Sequence, residues 1–181
     1  MTRVLLPAGF SCDPARSGMH WGLKRSLLSY VARAPDGRCS ATDGARASDS
    51  GGFHYALDAV DVDASGAIAR LAFSGDVRLS AHGGMMFVSI KDPALVLGED
   101  GETLLLHDAL GAAGGGSIEF ASCSVTKVET PAGAVIGISV GQVHLTQQGP
   151  QLFGGYYSPG EPFEDFQITL VDRTSSEGTM T

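Results

Sequence analysis

Short apolar runs of alternating pattern constrain the fold of this chain more than any other feature of its sequence. From residue 53 onward, apolar residues alternate with polar or small ones, as in Phe53, Tyr55 and Leu57, and this period of two predicts strands. Glycines separate the runs. The chain has 25 of them in 181 residues, about twice the usual share. Because they follow no period of three, they exclude a collagen-like chain and predict tight turns between many strands.

The later part of the chain gives a series of such strands. The pair Ser74-Gly75 predicts a bend within the first long one, and residues 99–102 predict a hairpin turn. A glycine run at 111–116 predicts a further break. The predicted strands cover 68–82, 86–90, 95–97, 103–107, 117–128, 134–147 and 163–172.

Residues 20–34 differ, because their apolar side chains recur at intervals of three and four. Leu23, Leu27 and Val31 form an apolar stripe that also includes Tyr30, and this pattern predicts an amphipathic helix. The helix is expected to end before residue 35, a proline, because the residue preceding a proline is disfavoured in helical backbone.

The next segment, residues 36–52, has almost no large apolar side chain and predicts a loop. Together the elements predict a mainly β fold, an antiparallel β-sandwich or half-barrel with an α-helix packed near the N-terminus. A chain of 181 residues is long enough to bury the core of such a fold.

The charge of the chain is unevenly distributed. Its net charge of −8 argues against nucleic acid as a partner, because a nucleic-acid-binding protein carries a basic face. Residues 1–46 nevertheless hold seven Lys and Arg against three Asp, a net of +4, whereas the remaining residues carry −12. The positive segment either receives a small anionic ligand or reflects chance surface composition.

Signals for the cellular compartment are weak. No apolar stretch approaches the ~20 residues of a membrane helix, and the N-terminal run at residues 4–6 is too short for a signal peptide. Cys12, Cys39 and Cys123 are odd in number and widely spaced, so they form neither a disulfide framework nor a zinc motif. As written, the chain is expected to be cytoplasmic. The alternative is a domain excised from a secreted or cell-surface protein.

Common enzyme motifs are absent from the sequence. It contains no GxSxG elbow, no HExxH helix, no GxxxxGK[ST] loop and no GxGxxG between a strand and a helix. No two of the five histidines lie within four residues of each other, which excludes a local zinc pair but not a site assembled from distant positions. The histidines are His20, His54, His82, His107 and His144.

Two segments resemble motifs of one known family. The sequence WGLKRSLLSYV at 21–31 resembles the opening motif of HtaA-type domains, the heme-binding modules of bacterial heme uptake, and LAFSGDVRLSAHG at 71–83 resembles their "F-x-G…H-G" strand. The sequences KDP at 91–93 and FGGY at 153–156 resemble later landmarks of the family. The resemblance implies a single HtaA-like heme-binding domain over residues 18–172. An N-terminal extension over 1–17 and a disordered tail over 173–181 are expected to flank it.

The resemblance also implies a ligand set for ferric heme b. Tyr30 would be the axial ligand of the iron, and His82 would hydrogen-bond its phenolate oxygen. Ser26 would lie beside the porphyrin and touch a propionate. The two residue types suit these roles. A phenol of pKa about 10 must lose its proton to become a hard anionic ligand, and a neighbouring imidazole orients the phenol ring and tunes the oxygen–iron bond.

Other residues near these positions have more than one interpretation. Leu27, Met85 and Met86 are expected to line the pocket, and either methionine could instead be a sixth iron ligand or pack the core. Cations at the helix start, Lys24 and Arg25, either meet the heme propionates or form a solvated helix face. His20 either approaches the ligand or lies on the surface, and the tyrosines at 156 and 157 are expected to be strand-packing aromatics.

These expectations predict a protein that carries or stores ferric heme in a shallow apolar pocket, rather than an enzyme. Its partners would be heme and a protein that donates or accepts heme, and two chains could face each other across the heme as a homodimer. One alternative is a heme-free β-sandwich that binds another ligand or protein. The other is a peroxidase-like or heme-degrading enzyme, which would need a distal His or Arg as acid and base.

Overall fold

This computed structural model describes residues 2–108, 115–130 and 134–175. About half of these residues are in β-strands. Short 3-10 helices cover His82–Gly84 and Gly149–Phe153. The prediction of a mainly β chain with a helix near the N-terminus is confirmed. In chain order the other elements are β1 (Gly18–Trp21), α1 (Arg25–Arg33), β2 (Arg38–Thr42), β3 (Ala45–Ala47), β4 (Phe53–Val62), β5 (Ile68–Ser74), β6 (Asp76–Ala81), β7 (Met86–Lys91), β8 (Ala94–Gly98), β9 (Gly101–Asp108), β10 (Gly116–Glu129), β11 (Val135–Leu145) and β12 (Phe166–Val171).

The large sheet closes into a barrel because β1 pairs with both β12 and β4. Around the wall the order is β1, β12, β11, β10, β9, β8, β5 and β4, with antiparallel pairings throughout, and β3 is an extra strand on β4. The predicted sandwich is therefore wrong, and the half-barrel is instead a closed ring. Closure hydrogen-bonds the strands that would otherwise be the edges of an open sheet.

The barrel wall buries alternate side chains, as the period of two predicted. In β12, Phe166, Ile168 and Leu170 are buried while Gln167 and Thr169 are exposed. The long strand β10 curves around the barrel with interruptions in its register against both neighbours, and such bulges increase the bend and twist of a strand.

A buried tryptophan fixes the strand that closes the barrel. Trp21 has no exposed surface and lies between the rings of Phe120 and Phe166, with ring centroids 5.9 Å away in both cases. Its Nε1 donates a hydrogen bond to the carbonyl oxygen of Glu164 at 2.9 Å. Because Trp21 is the last residue of β1, this packing sets where the chain leaves the barrel toward α1.

The helix begins five residues later than predicted. Residues 18–21 extend as β1, and Leu23 has a positive φ of 57°, so the helix starts at Arg25 and ends at Arg33, before the proline as expected. The apolar spacing misled the prediction because Leu23 is buried in the irregular connection between β1 and α1, whereas Leu27 and Val31 are buried by the helix itself. Tyr30 does not belong to this buried stripe.

A second, three-stranded sheet contains a strand that the sequence did not indicate. Its order is β2, β6 and β7, so the predicted loop over 36–52 is wrong in that β2 and β3 both lie there. The side chains of β2 are mostly exposed, and a strand held by backbone pairing alone leaves no apolar alternation to detect. This sheet lies against α1, with which β6 and β2 are in contact.

The bend predicted at Ser74-Gly75 is confirmed, and it separates β5 in the barrel from β6 in the small sheet. Gly75 has a φ of +147°, and a Cβ there would lie 2.6 Å from the Cβ of Ala45, so only glycine fits. The hairpin turn between β8 and β9 is also confirmed.

Both ends of the chain contact the barrel where the structure describes them. Val4 is buried, and the neighbouring Leu5 forms a bridge with Ala67. At the other end the description stops at residue 175, so residues 176–181 of the predicted tail and residues 111–114 of the predicted glycine break lie outside it. In the part of the chain that is described, no helix has the length and apolar character to cross a membrane.

Candidate functional site

A tyrosine and a histidine from separate elements meet on the outer surface beside α1. Tyr30, in the second half of α1, has 51% of its surface exposed. Its hydroxyl oxygen lies 2.5 Å from Nε2 of His82, 52 residues further along the chain. The two rings have centroids 5.7 Å apart. The structure thus brings together the two residues that the sequence nominated as ligand and supporting histidine.

The turn that carries the histidine is held by a carboxylate at the end of α1. His82 follows β6 and has a φ of +56°, which is uncommon for a residue with a side chain. The carboxylate of Asp36 accepts hydrogen bonds from the backbone N–H of His82 at 3.0 Å and of Gly83 at 2.5 Å. These two bonds lower the pKa of Asp36. One carboxylate therefore joins the helix end to the histidine turn.

The tyrosine–histidine pair can accommodate either protonation state of the phenol. Neutral imidazole Nε2 can accept the phenol proton, and the other tautomer, or imidazolium, can donate a hydrogen bond to a phenolate. A Lewis-acidic cation on the phenol oxygen would displace its proton, since bound cations favour the deprotonated form of their ligands. The phenol oxygen of Tyr30 could therefore act as a hard ligand to a metal ion, and a hydrogen bond from His82 could stabilise it as a phenolate.

Two grooves flank this pair and share Tyr30 and Ser26 in their walls. The smaller groove, of about 430 Å³, is lined by Ser26, Ser29, Tyr30, Arg33, Ala34 and His82. The larger, of about 700 Å³, lies between α1, the segment 85–88 and the segment 153–161. The phenol of Tyr30 therefore stands at the boundary between them.

The larger groove has an unusual share of exposed apolar surface. Among the described residues, seven large apolar side chains are exposed, and four of them line this groove. Clustered exposure of this kind marks a binding surface, whereas scattered exposure does not. The four are Tyr30, Met85 (90% exposed), Phe87 and Tyr156 (83% exposed).

The other predicted lining residues lie in the same groove at different depths. Leu27 is buried beneath α1 and Met86 is half-buried against the core, and both contribute to the groove wall. Tyr156 and Tyr157 also line it, but they are not strand residues as predicted. They follow Gly154 and Gly155 in an irregular loop after a 3-10 helix.

The cations nominated at the helix start are placed differently from each other. Lys24 lines the larger groove, but its Nζ is 2.7 Å from a carboxylate oxygen of Glu161 and donates to the carbonyl of Pro162 at 2.7 Å. Arg25 is exposed and is not among the residues lining either groove. His20, in β1, is hydrogen-bonded through Nε2 to the carbonyl of Gly51 at 2.7 Å, likewise away from both grooves.

Sequence reasoning missed several residues that the structure adds to the site. Ser29 and Arg33 share the helix face of Ser26 and Tyr30 at spacings of three and four, a signal that was present in the sequence. Asp36 gave none, because nothing in the sequence connects it with a turn 46 residues away. Phe87 lies in the strand predicted at 86–90, and nothing in the sequence distinguishes it as a groove residue.

Comparison with known proteins identifies a family and a set of similar folds. The family model HtaA, described as Htaa, matches residues 16–169. Among curated proteins, no sequence matches the chain.

Three solved structures from Corynebacterium glutamicum resemble the chain. The C-terminal domain of HtaA has a TM-score of 0.71 at 19% identity, covering 86% of this chain and 95% of that one. The N-terminal domain of HtaA has a TM-score of 0.66 at 19% identity, with coverages of 90% and 98%. The heme binding protein HtaB has a TM-score of 0.60 at 15% identity, with coverages of 86% and 92%. At these identities the likeness is one of fold.

Proposed function

The chain belongs to the HtaA family, and from that premise we propose that it binds ferric heme beside α1 and carries or stores it. A structural neighbour, HtaB, is a heme binding protein by name. The observation that carries the proposal is the exposed phenol of Tyr30, held 2.5 Å from His82 at the boundary of two grooves. It supports a role for Tyr30 as the single protein ligand of a metal whose other ligands come with a macrocycle.

The residues around Tyr30 fit the chemistry of heme. The exposed apolar side chains of Met85, Phe87 and Tyr156 offer contact area for the faces of a tetrapyrrole, and burying apolar area is worth roughly 25 cal/mol per Å². Leu27 and Met86 would form the deeper part of the same wall. Ser26, in the walls of both grooves, would lie beside the porphyrin.

The proposed role of His82 is to hold a proton next to the phenolate. Tyrosinate is an established ligand of heme iron, and a bound ferric ion would favour transfer of the phenol proton to Nε2 of His82, which lies 2.5 Å away. His82 would then donate its Nε2 hydrogen to the phenolate oxygen, which fixes the ring and moderates the strength of the bond to iron. The carboxylate of Asp36 keeps the histidine turn in the conformation that allows this contact.

Exposure of the site supports a carrier rather than a catalyst. Tyr30 and Tyr156 remain largely accessible to solvent, so heme could reach the groove from a donor protein and leave it toward an acceptor without unfolding. An enzyme would gain from a closed site that excludes water.

An absorbance titration with hemin tests the proposal, with Tyr30→Phe as the variant. We expect a saturable Soret change at one heme per chain and a high-spin ferric tyrosinate spectrum. In Tyr30→Phe, both signals should be lost or altered. The matched control is Tyr156→Phe, which removes an exposed hydroxyl from the same groove and should keep the tyrosinate spectrum. A titration of the unaltered protein indistinguishable from buffer would contradict heme binding, and rapid turnover of peroxide by the complex would contradict a carrier.

A further inference from the structure

We propose that Arg33 and Ser29 form a carboxylate-binding subsite in the smaller groove and that this subsite holds the propionates of heme. The inference rests on the proposed function and adds to it the residues that orient the ligand. It also replaces the cations expected from the sequence, Lys24 and Arg25, with one that the structure brings to the site.

The first support is the state of the cations around the site. Lys24 is neutralised by Glu161 at 2.7 Å, and Arg25 lines neither groove. Arg33 lines the smaller groove, and within the described residues its guanidinium has neither an ion pair nor a hydrogen bond. A guanidinium carries a fork of N–H donors that matches the two oxygens of a carboxylate. The site therefore presents one charged donor group without a partner.

The second support is the position of Arg33 on the helix. Ser26, Ser29, Tyr30 and Arg33 follow each other at spacings of three, one and three, which puts them on adjoining faces of α1. With a rise of about 1.5 Å per residue, Arg33 lies less than one turn beyond Tyr30, toward the C-terminal end. An arginine side chain can span that distance, so its charge can reach a ligand bound at the tyrosine.

The two grooves differ in whether the charged side chains that line them are paired. Apolar and aromatic side chains dominate the larger groove, whose one cation and one anion pair with each other. The exposed wall of the smaller groove is mainly apolar, and its one permanently charged side chain is Arg33, with Ser29 one helical turn before it. The acidic group next to it, Asp36, is already hydrogen-bonded to the N–H groups of His82 and Gly83. Among the residues that line either groove, Arg33 is therefore the cation without an anionic partner, and the two carboxylates on one edge of heme would supply that partner.

A comparison of hemin with its dimethyl ester tests the subsite, because the ester removes both carboxylate charges and leaves the macrocycle and iron unchanged. Dissociation rates are measured by transfer to excess apomyoglobin, at low ionic strength, for the unaltered protein, Arg33→Gln and Arg25→Gln. We expect Arg33→Gln to release hemin about threefold to fivefold faster, as for a partly exposed ion pair, and to release the ester at the unaltered rate. Arg25→Gln, a cation on the same helix outside the grooves, should change neither rate.

Two further measurements separate this proposal from a structural effect. Arg33→Lys keeps the positive charge at the helix C-terminus, which favours the helix, but loses the planar fork, so its rate should lie between those of the unaltered protein and Arg33→Gln. The tyrosinate spectrum should be the same in all three. Equal acceleration of hemin and ester in Arg33→Gln, or an equal effect of Arg25→Gln, would overturn the subsite while leaving the heme site intact. Failure of the unaltered protein to bind hemin would overturn both proposals.

Discussion

The barrel interior and the surface beside α1 each contain a tyrosine, and the two differ in almost every physical respect. Tyr55, in β4, has no exposed surface and donates its hydroxyl hydrogen to the carbonyl of Ile90 at 3.1 Å. Burial, with the nearby charge of Asp76 as a smaller cause, raises the pKa of Tyr55 well above 10. Tyr30 is half exposed and meets an imidazole.

The difference shows that residue type alone does not define a ligand. A phenol in the apolar core is held in its neutral form, since desolvation penalises the phenolate, and its hydroxyl serves packing and one hydrogen bond. A phenol at the surface beside a histidine is accessible to a cation, and a bound cation favours the deprotonated form of its ligand. In this protein, the buried Tyr55 contributes to the core, and the exposed Tyr30 is the proposed iron ligand.

Replacing each tyrosine by alanine gives the largest expected contrast. Tyr55→Ala should lower the free energy of unfolding by about 3 to 5 kcal/mol, because it leaves a large cavity in the core. Tyr30→Ala should lower it by at most about 1 kcal/mol, since half of the side chain is already exposed. Chemical denaturation monitored by tryptophan fluorescence measures both. In a hemin titration, Tyr30→Ala should have the larger effect and lose the tyrosinate complex. An unchanged complex in Tyr30→Ala would contradict the proposed role of Tyr30 as the iron ligand.

The thiols extend the same contrast between interior and surface. Cys123, in the barrel wall, is buried, and burial raises its pKa to about 12. Cys39, in β2 of the small sheet, is exposed. Because the thiolate is the reactive form, Cys39 should react with iodoacetamide at pH 8 more than about tenfold faster than Cys123. Peptide mass spectrometry of the labelled protein measures both rates, with denatured protein as the control in which the difference disappears. Equal rates in the native protein would mean that the barrel wall opens.

The sequence was most informative where side chains alternate and least where the backbone alone pairs. The strand β12 was predictable because its buried residues, Phe166, Ile168 and Leu170, are large, apolar and strictly alternating. The closing strand β1 was hidden because Leu23 stands four residues before Leu27 and so extends the helical spacing toward β1, and β2 had no apolar pattern. Closure of the barrel therefore could not be predicted, since it depends on the pairing of β1 with β12 and β4.

The residues of the site also differ in whether the sequence could predict them. Tyr30 and His82 could be nominated because each lies in a motif that resembles a family, and Ser29 and Arg33 share a helix face with Tyr30. The position of Arg25 outside both grooves could not be predicted from its neighbours in sequence, because the helix begins at that residue rather than before it. The contact of Asp36 with the histidine turn depends on how β6 returns to α1, a tertiary arrangement without a local signal.

The smallest expected effect concerns this aspartate and is expressed through pH. The hydrogen bonds from Gly83 and His82 lower the pKa of Asp36. Its stabilisation of the histidine turn is therefore fully present above about pH 4, the ordinary pKa of an aspartate, and is lost as the pH falls through the lowered value. Protonation removes the charge that makes the two N–H bonds strong. Acidification should then loosen His82 and accelerate the release of heme.

Asp36→Asn keeps the shape of the side chain and removes its charge at every pH. We expect Asp36→Asn to release hemin at pH 7 faster than the unaltered protein, by less than about tenfold. This is below the effect typical of removing a group that hydrogen-bonds the iron-ligating residue directly. The acceleration should therefore be smaller than that caused by His82→Ala. Its release rate should also change less between pH 5 and pH 3, because the group that titrates is gone. Stopped-flow transfer of hemin to apomyoglobin at pH 7, with absorbance-monitored release in acid, measures both. If the release rates of the two proteins depended on pH in the same way, the charge of Asp36 would not position His82. The histidine turn would then be held against α1 by packing alone.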